Sequence, residues 1–240
     1  MRTRILVSLI LGGILVSMAV GCSRGTRDQP SISVVEIDEY EGQRLGSVTD
    51  FRENSILGPQ EIDEATYRLA VDGLVRTPLS LSLEQLSRYL RSRKLVTLHC
   101  VDGWDVTALW EGIRLAELLE DAGVDTSANT VIFHAEDGYT TSLPLSFVSE
   151  NDLIIADRIN EIPLPIDQGW PFQLVAEDRW GYKWIRWLVR IELSADETYR
   201  GYWESRGYNN PGDRTIPMFE DVPRQETTEE ETPRGLPGAT

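Results

Sequence analysis

Apolar and polar residues alternate along this chain in several short runs. In Leu95-Val96-Thr97-Leu98-His99-Cys100, positions Val96, Leu98 and Cys100 fall on one side and Leu95, Thr97 and His99 on the other. That is the period of a half-buried strand. The run enters Asp102-Gly103, a turn pair, so the Cys100 sulfur is expected where a sheet hands the chain to a loop. Tyr67, Leu69 and Val71 alternate in the same way up to Gly73, and Trp187, Val189 and Ile191 mark a last strand. Residues 129–133 and 153–156 are short apolar strands. Residues 140–145 run extended after the turn Asp137-Gly138-Tyr139, and 162–165, interrupted by prolines, reads as an edge. Helical spacing occurs twice. Ser82 and Gln85 form a capping box before Leu83, Leu86, Tyr89 and Leu90, and Leu115, Leu118, Leu119 and Ala122 precede a C-capping Gly123. Strands and helices do not alternate regularly and no repeat is visible, so the pattern predicts a mixed α+β domain. Residues 199–210, aromatic and glycine-rich, read as a loop that covers something.

The two ends differ from the middle. Met1-Arg2-Thr3-Arg4 is basic, residues 5–20 are apolar and uncharged, and Ala19-Val20-Gly21-Cys22 follows. This has the shape of a secretory signal, and the small residues before Cys22 resemble a bacterial lipoprotein cleavage box. The expectation is a signal over 1–21, a lipidated Cys22, a tether over 22–49, a folded domain over 50–212 and an acidic tail over 213–240. Such a chain sits outside the cytoplasm, held to a membrane by its lipid.

With 240 residues the chain can hold one good-sized core. Its net charge of −16 argues against nucleic acid as a partner. Only two lysines occur, so an anionic ligand needs a local basic pocket, with Arg52, Arg179, Lys183 and Arg186 as candidates. There are two cysteines. If Cys22 carries lipid, Cys100 has no disulfide partner in an oxidising compartment. A lone cysteine is commonly a small core residue; at a strand end its thiolate is a nucleophile or a soft metal ligand. No His and Cys stand at zinc spacing, and His99 and His134 read as structural.

Cys100-Val101-Asp102-Gly103-Trp104, Trp110-Glu111-Gly112, Leu118-Leu119, Asp137-Gly138-Tyr139 and Gly181-Tyr182-Lys183 together resemble the sulfite oxidase-like molybdopterin oxidoreductases. The similarity is to the stand-alone bacterial branch that includes periplasmic methionine sulfoxide reductase catalytic subunits. It implies the sulfite oxidase-like fold and a molybdenum-molybdopterin cofactor with Cys100 as its protein ligand. It also implies a pterin phosphate held by Gly181, Tyr182 and Lys183, and a hydrogen bond from Asn54 to the pterin. Gln168 stands where the family commonly has His or Asn, Gln173 where it has Arg, and Ala135 where it has Thr or Ser. The two glutamines can still donate hydrogen bonds but supply no charge. Asp102 is either a turn residue or an acid on the substrate side of the metal. Tyr139 either packs or donates to an oxo group. The implied activity is oxygen-atom or electron transfer on a small oxyanion or an S- or N-oxide. No Cys-x-x-Cys-His haem motif is present, so electrons would pass to or from a haem or quinone-linked partner. A competing reading is a cofactor-free envelope module. The missing cation at Gln173 and a leader without adjacent arginines favour it, and Cys100 and Lys183 argue against it.

Overall fold

The computed structural model describes residues 35–220, so Cys22, the leader and the end of the tail lie outside the described residues. A small hairpin, β1 (Glu39–Tyr40) and β2 (Gln43–Arg44), comes first. It is followed by β3 (Leu69–Gly73), β4 (Leu79–Leu81), α1 (Leu83–Leu86), β5 (Arg91–His99), β6 (Asp105–Arg114) and α2 (Leu115–Ala122). Then come β7 (Thr130–Ala135), β8 (Thr140–Pro144), α3 (Leu145–Glu150), β9 (Ile154–Ile159), β10 (Ile162–Pro163), β11 (Gln173–Val175) and β12 (Leu188–Ser194). One sheet runs β10-β9-β6-β5, with β11 also paired to β9, and a second runs β4-β3-β12-β7-β8. Among the strand pairs of the described residues only β12 with β3 is parallel. This is the mixed α+β architecture that the irregular alternation predicts. No helix among the described residues is long and apolar enough to cross a membrane.

A single core cluster takes side chains from both sheets and from α2. On β5, Val96 and Leu98 are buried, as is Cys100 just beyond it, while Leu95, Thr97 and His99 are half-buried. On α2, Leu115, Leu118, Leu119 and Ala122 are buried, and Gly123 closes the helix in the left-handed conformation with φ 65°. The Ser82–Gln85 capping box forms, but α1 stops at Leu86, and Leu90 is exposed rather than part of an apolar helix face. Several elements escape the sequence reading, the short strands β1, β2, β4 and β11 among them. β6 is the longest strand, and α3 replaces the end of the extended run expected over 140–145.

The folded part also extends past both expected boundaries. The Glu36 carboxylate accepts from the Val48 N–H at 2.7 Å, the Ser47 hydroxyl at 3.0 Å and the Asn160 amide at 2.8 Å. At the other end Asn209 N–H donates to Met218 O and Glu220 N–H to Gly207 O. These bonds, with the buried Leu45 at one end and Phe219 against Tyr208 at the other, fix both segments without a regular apolar stripe, so hydrophobic periodicity does not reveal them.

Candidate active site

The hairpin β5–β6 builds the centre of the site. Its strands pair from Arg91↔Ile113 to His99↔Asp105, which leaves Cys100 to Trp104 as the connecting turn. Cys100 N–H donates to Trp104 O at 2.9 Å and Gly103 N–H to Cys100 O at 3.1 Å. Gly103 has φ 81°, a conformation that costs a glycine little and a side-chain-bearing residue more. The tight closure fixes the sulfur at the strand end. Cys100 is a free thiol, 5% exposed. Burial pushes that thiol up from its ordinary pKa, against the lowering pull of the Asp102 and Val101 backbone groups.

The thiol opens onto a cleft walled by several parts of the chain. Five separate segments line it. Phe51, Arg52 and Asn54 come from the approach to β3. Leu98, Cys100 and Trp104 come from the hairpin, and Asp137 and Tyr139 from the β7–β8 turn. Gln168, Gln173, Gly181 and Tyr182 come from the stretch around β11, and Trp203 from the strap after β12. Seven of the expected residues therefore meet here: Asn54, Cys100, Tyr139, Gln168, Gln173, Gly181 and Tyr182.

Two do not. Asp102 is exposed on the turn and does not line the cleft. The Lys183 side chain turns inward, where its amine donates to Ser142 O at 2.9 Å and to the Glu204 carboxylate, both side chains having no exposure. The cation expected to face a phosphate is thus held in a buried ion pair, because the 3₁₀ turn Gly181–Lys183 presents Gly181 and Tyr182 to the cleft instead. Tyr139 is also committed: its hydroxyl donates to Tyr182 O, and burial holds its phenol well above the ordinary range. Of the four candidate cations, Arg52 and Arg186 line the cleft, whereas Arg179 stacks over Phe147 and faces Asp213.

Arg186 is the cleft side chain whose contacts the sequence leaves least defined. Its guanidinium donates to Glu53 at 2.8 Å, to Asp167 O at 2.9 Å and to Asn54 Oδ1 at 3.0 Å. With Oδ1 so engaged, the Asn54 amide turns Nδ2 toward Cys100 Sγ, 3.7 Å away. Trp203 was visible beforehand only as part of an aromatic, glycine-rich loop.

The residues present fit a large polar heterocycle carrying a metal. The walls are aromatic, the thiol is soft and unpaired, and of the six buried side-chain polar atoms without a partner among the described residues two belong to the cleft: Trp104 Nε1, a donor, and Gln173 Oε1, an acceptor. Buried polar groups are nearly always hydrogen-bonded, so this pair offers a bound ligand two positions where it can supply a missing partner.

Comparison with known proteins agrees with this chemistry. Residues 57–203 match the oxidoreductase molybdopterin binding domain. The chain is 37% identical over 157 residues to an uncharacterized oxidoreductase of Bacillus subtilis, YuiH, covering 65% of this chain and 78% of that one. It is 32% identical over 178 residues to mitochondrial sulfite oxidase of Homo sapiens, covering 61% of this chain and 32% of that one. It is 30% identical over 145 residues to the protein-methionine-sulfoxide reductase catalytic subunit MsrP of Gluconobacter oxydans, covering 53% and 46%. It thus spans about a third of the sulfite oxidase and less than half of MsrP. The sulfane dehydrogenase SoxCD of Paracoccus pantotrophus shares the fold, with a TM-score of 0.57 at 22% identity over 62% of this chain and 42% of that one. A matched stretch of more than half the chain, laid over a thiol-centred cleft with unfilled hydrogen-bond positions, makes this chain a member of the molybdopterin-binding oxidoreductase family, an enzyme whose cofactor is molybdenum-molybdopterin.

Proposed function

We propose that Cys100 ligates the molybdenum and that the enzyme transfers an oxygen atom, or the equivalent electrons, on a small oxyanion or an S- or N-oxide. The observation that carries this reading is the free Cys100 thiol at the end of β5, facing the cleft that holds the unpartnered Trp104 Nε1 and Gln173 Oε1. When bound, the cofactor supplies two-electron redox chemistry at the metal. The chain binds, orients and screens it. Gln168 and Gln173 offer amide groups to ring or phosphate, and Gly181 and Tyr182 offer backbone. Arg52 and Arg186 supply the positive charge, in place of Lys183. Phe51, Trp104 and Trp203 exclude water, which strengthens every polar contact inside. Burial raises the free thiol, but a bound cation reverses that balance and holds the sulfur as thiolate.

The same reading places the enzyme outside the cytoplasm, tethered through lipid on Cys22, and exchanging electrons with a haem or quinone-linked protein. Its support is the leader, the cleavage box and the lack of a haem motif in this chain.

Metal analysis of protein made in its own host tests the ligation. Stoichiometric molybdenum in the wild type and none in a folded Cys100→Ser variant is the expected result. Equal molybdenum in both overturns it. Reduced viologen with an S-oxide or N-oxide, set against sulfite with an artificial acceptor, then separates the substrate classes. Detergent partitioning of wild type against Cys22→Ala tests the anchor, which equal partitioning rules out.

A further inference from the structure

We infer that Lys183 and Glu204 form a buried tie that sets the position of Trp203 on the wall of the Cys100 cleft. The inference rests on that cleft being the working site. Lys183 is 0% and Glu204 1% exposed, and such residues are almost never so buried unless paired. The Glu204 carboxylate accepts from the Lys183 amine and, at 2.5 Å, from the Thr141 hydroxyl, while the Lys183 amine also donates to Ser142 O. Room has been left for both side chains. A Cβ at Gly212 would stand 2.4 Å from Lys183 Cγ, and one at Gly201 would stand 2.8 Å from Glu204 Oε2 and 2.3 Å from Thr140 O.

The tie links two pieces of the cleft wall. Lys183 directly follows Gly181 and Tyr182, and Glu204 directly follows Trp203. Trp203 caps the short 3₁₀ turn Glu204–Arg206, in which successive side chains point about 120° apart. With Glu204 drawn into the interior, Trp203 is turned toward the cleft. The other links between residues 199–212 and the body include Tyr202 N–H to Thr140 O and Trp180 N–H to Gly212 O, both at 2.9 Å, the Tyr182 hydroxyl to Asn209 O at 2.8 Å, and the ring contacts Tyr139–Tyr202 and Tyr182–Tyr208. None of them is made by Trp203 or Glu204, so at that step the bonds to the body are those of the Glu204 carboxylate with Lys183 and Thr141. Glu204 and Lys183 are therefore positioning residues, acting on the cleft through Trp203.

The test uses the full chain without cofactor. It reads the rate at which an uncharged thiol reagent labels Cys100, scored by peptide mass so that Cys22 does not contribute, with hydrogen exchange measured alongside. Glu204→Gln and Lys183→Met should each speed Cys100 labelling about ten-fold or more through local opening. Exchange should rise more in residues 199–212 than in β5 and β6. The double variant should open no further than either single one, because both break the same link. Unchanged labelling, exchange rising equally in the β5–β6 hairpin, or effects that multiply in the double variant would overturn the inference. If either single variant fails to fold, Thr141→Val removes one bond to the same carboxylate and should show the same pattern at smaller size. Because no metal is involved, absence of molybdenum would sink the proposed ligation and leave this result standing.

Discussion

If Cys100 ligates the metal as proposed, Arg186 is the residue that orients what meets the sulfur. Its three acceptors, on Glu53, Asp167 and Asn54, fix the guanidinium, and the guanidinium fixes which end of the Asn54 amide meets the sulfur. Groups that orient a metal ligand typically matter 10–100-fold. Arg186→Met is therefore expected to lower molybdenum affinity by about 10–100-fold, with Arg186→Lys intermediate because it keeps charge without the fork. Metal content after graded chelation checks this, and unchanged retention in Arg186→Met would refute it. The buried pair makes a separate prediction about stability. Removing one partner of a buried ion pair costs about 3–5 kcal/mol, whereas replacing both with apolar groups of similar volume is often neutral. Lys183→Met should lower the urea midpoint sharply, and Lys183→Met with Glu204→Met should recover most of the loss.

At the level of elements the site depends on how closely β6 lies against β9. The register shifts between Glu111 and Gly112, and a Cβ at Gly112 would stand 2.0 Å from Ile155 O. No side chain fits there. Gly112→Ala must push the two strands apart, and overpacking of this kind costs about 1–3 kcal/mol or more. A lowered thermal midpoint together with weakened cofactor retention is the expected outcome, since β6 is the return strand of the Cys100 hairpin. The sequence made part of this legible. The alternation at Val96, Leu98 and Cys100, the helix closed by Gly123 and the Ser82–Gln85 box all follow from local chemistry, and each is present. β6 was hidden because it is a central strand, with Val106, Ala108, Leu109, Trp110 and Ile113 buried on both faces and no clean period of two. The inward turn of Lys183 was hidden for a different reason. Its partner Glu204 lies 21 residues away, and nothing in the spacing signals a buried pair. Motif resemblance gathered seven cleft residues, but it could not show which way a long side chain points.

The whole molecule sets two effects of pH against each other. At pH 7 the net charge is −16, and the sequence isoelectric point is about 4.5. Self-repulsion should therefore ease as pH falls from 8 toward 5, and stability should rise modestly. Local carboxylates act the other way. Bonds from Ser127 and Thr198 hold Asp125 and Asp196 below the ordinary value, bonds from Thr215 hold Asp213 down, and the Arg200 guanidinium does the same for Glu220. A carboxylate with a depressed folded pKa adds stability above its unfolded pKa and loses it as pH falls through the folded one. For these four groups that window lies below about pH 4, under the usual range of Asp and Glu. The two effects thus act in different windows, and a maximum near pH 5 is expected. Salt separates them. At pH 7 about 0.1 M salt shortens the Debye length to about 10 Å and should raise the thermal midpoint, while near the isoelectric point the same salt should change it little. Asp213 and Glu220 both sit on the strap after β12, so hydrogen exchange at pH 3.5 should rise first in residues 199–220 and later in the β5–β6 hairpin. Uniform exchange across the domain at that pH would show that general charge, not these carboxylates, governs the acid limb.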